Sequence, residues 1–221
     1  MKRFTRIAMR FLLMLENVVN KLINRLAIPY DGGVHVKHRL MRYHDFFVDR
    51  IAPGERVLDI GCGYGAVAYS LAMRAGALVT GVDLNEANVE KARSKFHHPN
   101  LTFVHGDART NLPAGPWDVL VLSNILEHID RRVPFLTGLQ QGLHPSRMLI
   151  RVPMIDRDWR VPLRAELGMF HFGDPTHFTE YTAESFEKEL IEAGLTIRHV
   201  QYNWGEIWAE VMPAQFSGAL S

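Results

Sequence analysis

RVLDIGCGYGA, residues 56–66, decides the fold: a short apolar run carries Asp59 near its end and then breaks into glycine at positions 61, 63 and 65. A run of this length, bounded by Pro53-Gly54 on one side and glycine on the other, has the dimensions of a β-strand. Gly61, Gly63 and Gly65 open backbone angles closed to other residues and leave the main chain bare for a ligand. A helical pattern begins near Gly65, so a helix amino terminus, which favours an anion, stands just beyond the turn. GCGYGA also satisfies the dinucleotide pattern G-x-G-x-x-G/A, with Ala66 in the last place.

Outward from this turn, short β-branched runs alternate with longer helical stretches, the signature of βαβ units on a parallel sheet. The pattern predicts strands at 56–60, 78–82, 101–104, 118–123 and 148–152, and helices starting near Gly65, Glu86 and Arg131 and over 183–193. Two final runs, 195–202 and 206–212, are separated only by Asn203-Trp204-Gly205, too short for a crossover helix, so they pair antiparallel. Such a sheet binds ligands beyond the carboxyl ends of its strands, where the strand order reverses.

The strand ends carry acids. Asp83 closes the second strand, 22 residues after Gly61, where a carboxylate can accept hydrogen bonds from both hydroxyls of a ribose. Asp107 closes the third in FVHGDA, where it could meet an adenine amino group. With Asp59 they suit a ligand that has a cationic amino-acid end, a ribose and an adenine, whereas a pyrophosphate is poorly served by Asp59 directly before the turn. The ordered stretches VLDIGCGYGAVAYSLA, VTGVDLNEANVEKAR, FVHGDA and WDVLVLSNILEHI closely resemble the motifs of class I S-adenosylmethionine-dependent methyltransferases of the small-molecule type. The resemblance is strong over about residues 50–155, weaker to 212, and excludes the amino-terminal arm.

It implies a doubly wound, mostly parallel seven-stranded α/β sheet of Rossmann-like type with an antiparallel last strand. It implies S-adenosylmethionine as cofactor: Asp59 and the turn Gly61, Cys62, Gly63, Tyr64 and Gly65 would hold the methionine part, Asp83 and Leu84 the ribose, Asp107 and Ala108 the adenine. Ser123 and Asn124 at the end of the fourth strand complete that set. Cys62 reads as a small residue packed in a tight turn rather than as a nucleophile.

Methyl transfer from a sulfonium is an in-line displacement, and a base is needed only if the acceptor must lose a proton. Glu127 and His128 follow the fourth strand, and a histidine suits proton removal near neutral pH. Residues 153–182 are too long and too rich in Pro, Gly and aromatics for an ordinary connection. They read as a lid, with His171, Asp174, His177, Glu180 and Tyr181 as its polar candidates. His128 or His177 is the expected base, and Glu127, His171, Asp174, Tyr181 and Tyr43 are the expected acceptor contacts. Glu127, His128, His171 and His177 could also chelate a divalent ion, as E-x-x-E-H does in some members of the family. Here Asn124 stands where the first Glu would be, and no metal is assigned.

The chain has 221 residues, one cysteine, and 25 basic against 24 acidic side chains. No disulfide framework is available, and no Cys/His spacing suggests a structural zinc. Residues 1–50 hold ten Lys or Arg and four acids; the remainder holds fifteen and twenty. Phe4, Ile7, Phe11, Leu15, Val18, Leu22 and Leu26 fall at helical spacing along this basic arm. Two domains are expected: a basic amphipathic helix over 1–30 and the methyltransferase domain over 31–221. Glu16 and Asn17 interrupt the apolar run, so neither a signal peptide nor a membrane span is expected. The arm would pack on the domain or on a second copy in a homodimer, or lie on an anionic membrane. No nucleic-acid-reading motif is present, and the expected location is cytoplasmic, at or away from the inner membrane surface. The expected reaction is methylation of a small or medium polar acceptor: a hydroxyl of a glycan or lipid-linked intermediate first, a quinone-type or other aromatic hydroxyl second. Rival readings are a non-catalytic cofactor-binding module that docks a partner through the arm, and a nicotinamide-dependent dehydrogenase.

Overall fold

The computed structural model describes residues 2–214; residues 215–221 of the expected second domain lie outside the described residues. In chain order the elements are α1 (Lys2–Tyr30), α2 (Lys37–Met41), α3 (Tyr43–Val48), β1 (Arg56–Ile60), α4 (Ala66–Ser70), β2 (Leu78–Asp83), α5 (Glu86–Lys95), β3 (Leu101–His105), β4 (Val119–Ser123), α6 (Arg132–Leu143), β5 (Arg147–Pro153), α7 (Arg160–Glu166), α8 (Ala183–Glu192), β6 (Leu195–Asn203) and β7 (Glu206–Pro213). A π-helical turn, Leu71–Ala75, continues α4, and a 3₁₀ turn, Leu126–His128, follows β4.

The strands form one sheet in the order β3-β2-β1-β4-β5-β7-β6. β1 pairs in parallel with β2 and β4, and β7 runs antiparallel to both β5 and β6. The order reverses between β1 and β4, so their carboxyl ends diverge into a crevice. Two apolar layers sandwich the sheet. Val57, Val79, Val119 and Leu149 pack under α3, α4 and α5 on one face, and Leu58, Leu120, Leu122 and Ile150 under α6 and α8 on the other. β1 and β4 can therefore be apolar on both faces, as their sequence is.

Residues 36–51 do not make one helix: Arg42 takes a left-handed conformation, φ 53°, and separates α2 from α3. The break re-aims α3 so that Tyr43, Phe46 and Phe47 are buried, while α2 buries nothing. Within the stretch 153–182 expected to form a lid, α7 forms and buries Val161 and Arg164.

Candidate active site

The glycine turn is shaped by sterics. A Cβ on Gly61, φ 71°, would stand 1.9 Å from Ile125 Cδ1, and one on Gly65, φ 80°, would stand 2.5 Å from the Phe103 ring. At both positions a side chain is excluded twice, by φ and by a neighbour. Asp83 ties the turn to β2: its Oδ2 accepts from the Gly63 amide at 2.8 Å, and its Oδ1 from the Asn85 amide at 2.9 Å. Leu84 beside it is exposed.

Above the ends of β1 and β4 lies a cavity of about 680 Å³, lined by Asp59, Gly61, Cys62, Tyr64, Ser123 and Asn124, together with Tyr43, His38, Lys37 and Arg151. Asp59 is 1% exposed and its Oδ2 has no hydrogen-bond partner. Asn124 Oδ1 is also buried and unpartnered. Burial, reinforced by the charge of Asp83 and opposed by the Ala68 amide, pushes the Asp59 carboxyl up to about 7. Two orphaned acceptors in one cavity call for a donor, and a cationic ammonium is the donor that restores the carboxylate to its charged form. The α-ammonium of S-adenosylmethionine meets that requirement. Cys62 packs toward Gly81, and burial pushes its thiol well above the usual range, so it is no nucleophile.

Arg151 was not anticipated. It is 3% exposed, pairs with Glu206 at 2.5 and 2.6 Å, reaches Ser123 Oγ at 3.3 Å, and stacks 3.8 Å from the Tyr43 ring centroid. It thereby joins α3 to the ends of β4 and β5. Its sequence signal was one cation inside the apolar run Met148-Leu149-Ile150-Arg151-Val152. Behind Tyr43 runs a chain of short contacts: Tyr43 Oη to His38 Nδ1 at 2.7 Å, His38 Nδ1 to His44 Nε2 at 2.9 Å, and His44 Nδ1 to Ser70 Oγ at 2.7 Å. Burial holds His38 down to about 4 and His44 to about 3, so this network is neutral at physiological pH.

Past β4, Glu127 is fully buried and neither of its carboxyl oxygens has a partner. Burial pushes it up to about 7, against the pull of His177 and Arg151. His177 Nδ1 donates to Glu180 Oε1 at 2.9 Å; Glu180 also accepts from Arg157 and the Gly173 amide, and these bonds outweigh burial to keep it below its ordinary value. His128 Nδ1 lies 2.8 Å from Thr176 Oγ1, whose own hydroxyl donates to Asp174 Oδ1 at 2.6 Å. The threonine proton is committed to Asp174, so His128 Nδ1 is the donor and Nε2 keeps its lone pair. The two imidazoles meet edge to face, 4.6 Å between centroids. Ligating atoms of Glu127, His128 and His177 lie within 4.8 Å of one another. A second cavity, also about 680 Å³, lies on the other side of the loop after β4, lined by Ala108, Arg109, His128, Ile129, Phe135 and Phe178 among others.

Several assignments shift. Asp107 is held by Arg109, which donates from its amide and guanidinium at 2.8–3.0 Å and keeps the carboxylate low; an adenine amino group would compete with that pair. Tyr181, an expected acceptor contact, is 2% exposed, packs edge to face on Phe186, and donates its hydroxyl to Glu189 at 2.6 Å. Asp174 is exposed and accepts from Thr176 Oγ1, the partner of His128. His171 lines a groove against α1 and is no part of the Glu127 cluster.

A methyltransferase-domain family model matches residues 33–200, more than half of the chain. The chain is 30% identical to the mitochondrial ubiquinone biosynthesis O-methyltransferase of Schizosaccharomyces pombe over 132 residues, 55% of this chain and 48% of that one. It is 35% identical to a probable phthiotriol/phenolphthiotriol dimycocerosates methyltransferase of Mycobacterium ulcerans over 173 residues, 77% of this chain and 56% of that one. The chain thus spans about half the length of the curated relatives it matches. Among solved structures, the magnesium protoporphyrin IX methyltransferase of Synechocystis PCC 6803 with bound SAH superposes with a TM-score of 0.63, 20% identity and coverage of 90% of this chain and 100% of that one. Family match, strand order and the acid-lined glycine turn agree: the chain belongs to the class I S-adenosylmethionine-dependent methyltransferases.

Proposed function

We propose that this protein methylates a hydroxyl oxygen on the head group of an apolar-tailed acceptor, a quinol-type phenol before any other, with His128 as the base. The observation that carries the reading is the fixed tautomer of His128. Asp174 orients Thr176, Thr176 takes the Nδ1 proton, and Nε2 is left to accept one. Burial, followed by the charge of His177, lowers the His128 pKa from its ordinary value against the pull of Asp174, so the ring is uncharged at neutral pH.

When bound, the cofactor supplies an electrophilic methyl on a sulfonium. The residues of the chain do the rest. Asp59 and Asn124 bind the amino-acid end, Asp83 the ribose. Tyr43, His38 and Arg151 close the cavity from the amino-terminal side and exclude water. His128 takes the hydroxyl proton as the oxygen attacks. Alignment of this kind can contribute roughly 7–11 kcal/mol in ideal cases.

The engaged lid favours this acceptor over the glycan expected first. Sugar recognition draws on free hydrogen-bonding groups, whereas three polar side chains of the lid are already engaged: His177 Nδ1 with Glu180, Asp174 with Thr176, and Tyr181 with Glu189 of α8. The names of the relatives from S. pombe and M. ulcerans also point to acceptors other than sugars. The test is product analysis by mass spectrometry after incubating the chain with S-adenosylmethionine and separate acceptors: a catechol, a short-tailed dihydroxyquinol, an aliphatic diol and a hexose. Methyl ether on the catechol and quinol is expected. Methylation of the hexose alone, or of an amine contaminant alone, overturns the reading.

A further inference from the structure

α1 is mounted inside out. Its contacts with the domain are made by its polar side: Arg10 donates to the Leu167 carbonyl at 2.7 Å, the buried Arg164 donates to the Leu13 carbonyl at 3.2 Å and to Glu16 at 2.7 Å, and Arg160 pairs with Glu16. Leu13 and Ala27 are the buried residues of the helix. The apolar stripe found in the sequence faces solvent instead, with Phe4 79%, Phe11 65% and Leu26 67% exposed, and Ile7, Leu15, Val18 and Leu22 exposed between them. At 29 residues the helix is about 43 Å long, and a continuous apolar face of that length does not stay in water unaccompanied.

We infer that this face of α1 lies on an anionic lipid surface. Charge selects the occupant. Arg3, Arg6, Lys21 and Arg25 join no ion pair among the described residues, and the single acid of the helix, Glu16, is turned inward onto Arg160 and Arg164. A second copy laid stripe to stripe would bring two sets of these cations together with no helix carboxylate to meet them. Lipid phosphates supply the missing charge. Among the described residues no helix is long and apolar enough to cross a membrane, which leaves the helix lying along the surface. Ile28, near the carboxyl end of α1, lines the Asp59 cavity together with Gly33 and Val34. The site thus opens beside the surface on which an apolar-tailed acceptor would be held. That last link rests on the proposed O-methylation, while the surface itself does not.

Co-sedimentation of the full chain with vesicles decides it. Vesicles of equal parts phosphatidylcholine and phosphatidylglycerol are expected to take up the protein at least about tenfold better than phosphatidylcholine alone, with the preference lost in high salt. Replacing Phe11→Asp and Leu22→Asp together abolishes uptake, and Lys21→Glu with Arg25→Glu lowers it by more than about tenfold. Circular dichroism and turnover of a water-soluble catechol show that these variants remain folded, since none of the four side chains touches the site. No uptake by either vesicle overturns the inference. So does a dimer in solution that Phe11→Asp with Leu22→Asp splits, because a second copy then covers the face. If the intact chain shows no catechol turnover but still binds anionic vesicles, the acceptor reading fails and the surface stands.

Discussion

His128 donates from Nδ1 to Thr176 Oγ1 at 2.8 Å, and the same hydroxyl hands its proton to Asp174. The chain fixes which nitrogen of the ring is basic. Replacing His128→Ala is expected to lower kcat on a phenolic acceptor by about 10²–10⁴-fold. Thr176→Val should cost less, because it frees the ring without removing it. The His128 pKa lies below the ordinary histidine value, so the acid limb that His128 gives to turnover should lie below the ordinary histidine range. A pH–rate profile with both variants checks this, and an unchanged kcat in His128→Ala removes the base from the mechanism.

Asp59 and Glu127 are both buried and both raised to about 7, from 3.8 and 4.5. In the folded state each binds a proton that the unfolded chain has already released, so stability is complete below pH 3.8 and 4.5 and is lost as pH rises through 7. Asp59→Asn and Glu127→Gln should each stabilise the cofactor-free protein at pH 8 by roughly 1–3 kcal/mol and do little at pH 4. Urea unfolding at the two pH values measures this; equal midpoints for parent and variants at pH 8 would contradict it. Asp59→Asn should nonetheless lose function through cofactor binding, which is the trade between stability and activity expected of a working site.

Asp83 accepts from the Gly63 and Asn85 amides and from Asn88 Nδ2, which leaves one lone pair on Oδ2 for a ribose. Asp83→Ala should weaken S-adenosylmethionine binding by about 1.5–3 kcal/mol, on the order of tenfold to over a hundredfold in Kd. Calorimetry reads it directly, and an unaltered Kd would take Asp83 out of the cofactor site.

The frame of this molecule was legible because its signals are local. Each β-strand from β1 to β5 is a compact apolar run between turn residues, and the observed bounds fall within a residue or so of those read from the pattern. Gly61 and Gly65 could be recognised as obligatory without knowing that Ile125 and Phe103 are the neighbours that forbid a side chain. What the pattern missed depends on partners far along the chain. Tyr181 looked like a lid residue open to an acceptor, but Phe186 and Glu189 on α8 take its ring and hydroxyl. Arg151 is a cation in an apolar strand whose counter-charge, Glu206, lies 55 residues further on. The stripe on α1 was plain at once, but its direction was not. That is set by Arg10 and Glu16 gripping α7 from the polar side, and periodicity does not say which side of a helix a domain will choose.

The cluster of Glu127, His128 and His177 gives the last test. Glu180 accepts from Nδ1 of His177 and Thr176 from Nδ1 of His128, so with both rings neutral both Nε2 atoms are acceptors, and the Glu127 oxygens have no partner either. Three acceptors within 4.8 Å suit a borderline cation that favours imidazole and carboxylate. Such an ion would occupy the nitrogen that proton removal requires. Added Zn²⁺ is therefore expected to inhibit, EDTA to restore full turnover, and exhaustive chelation to leave the untreated enzyme as active as before. Glu127→Gln should raise the Zn²⁺ concentration needed for half inhibition by at least about tenfold, because an amide is a much poorer ligand than a carboxylate. If the chelated enzyme is instead inactive and one equivalent of a divalent cation revives it, His128 is a ligand rather than a base, and the metal takes over the activation of the acceptor hydroxyl.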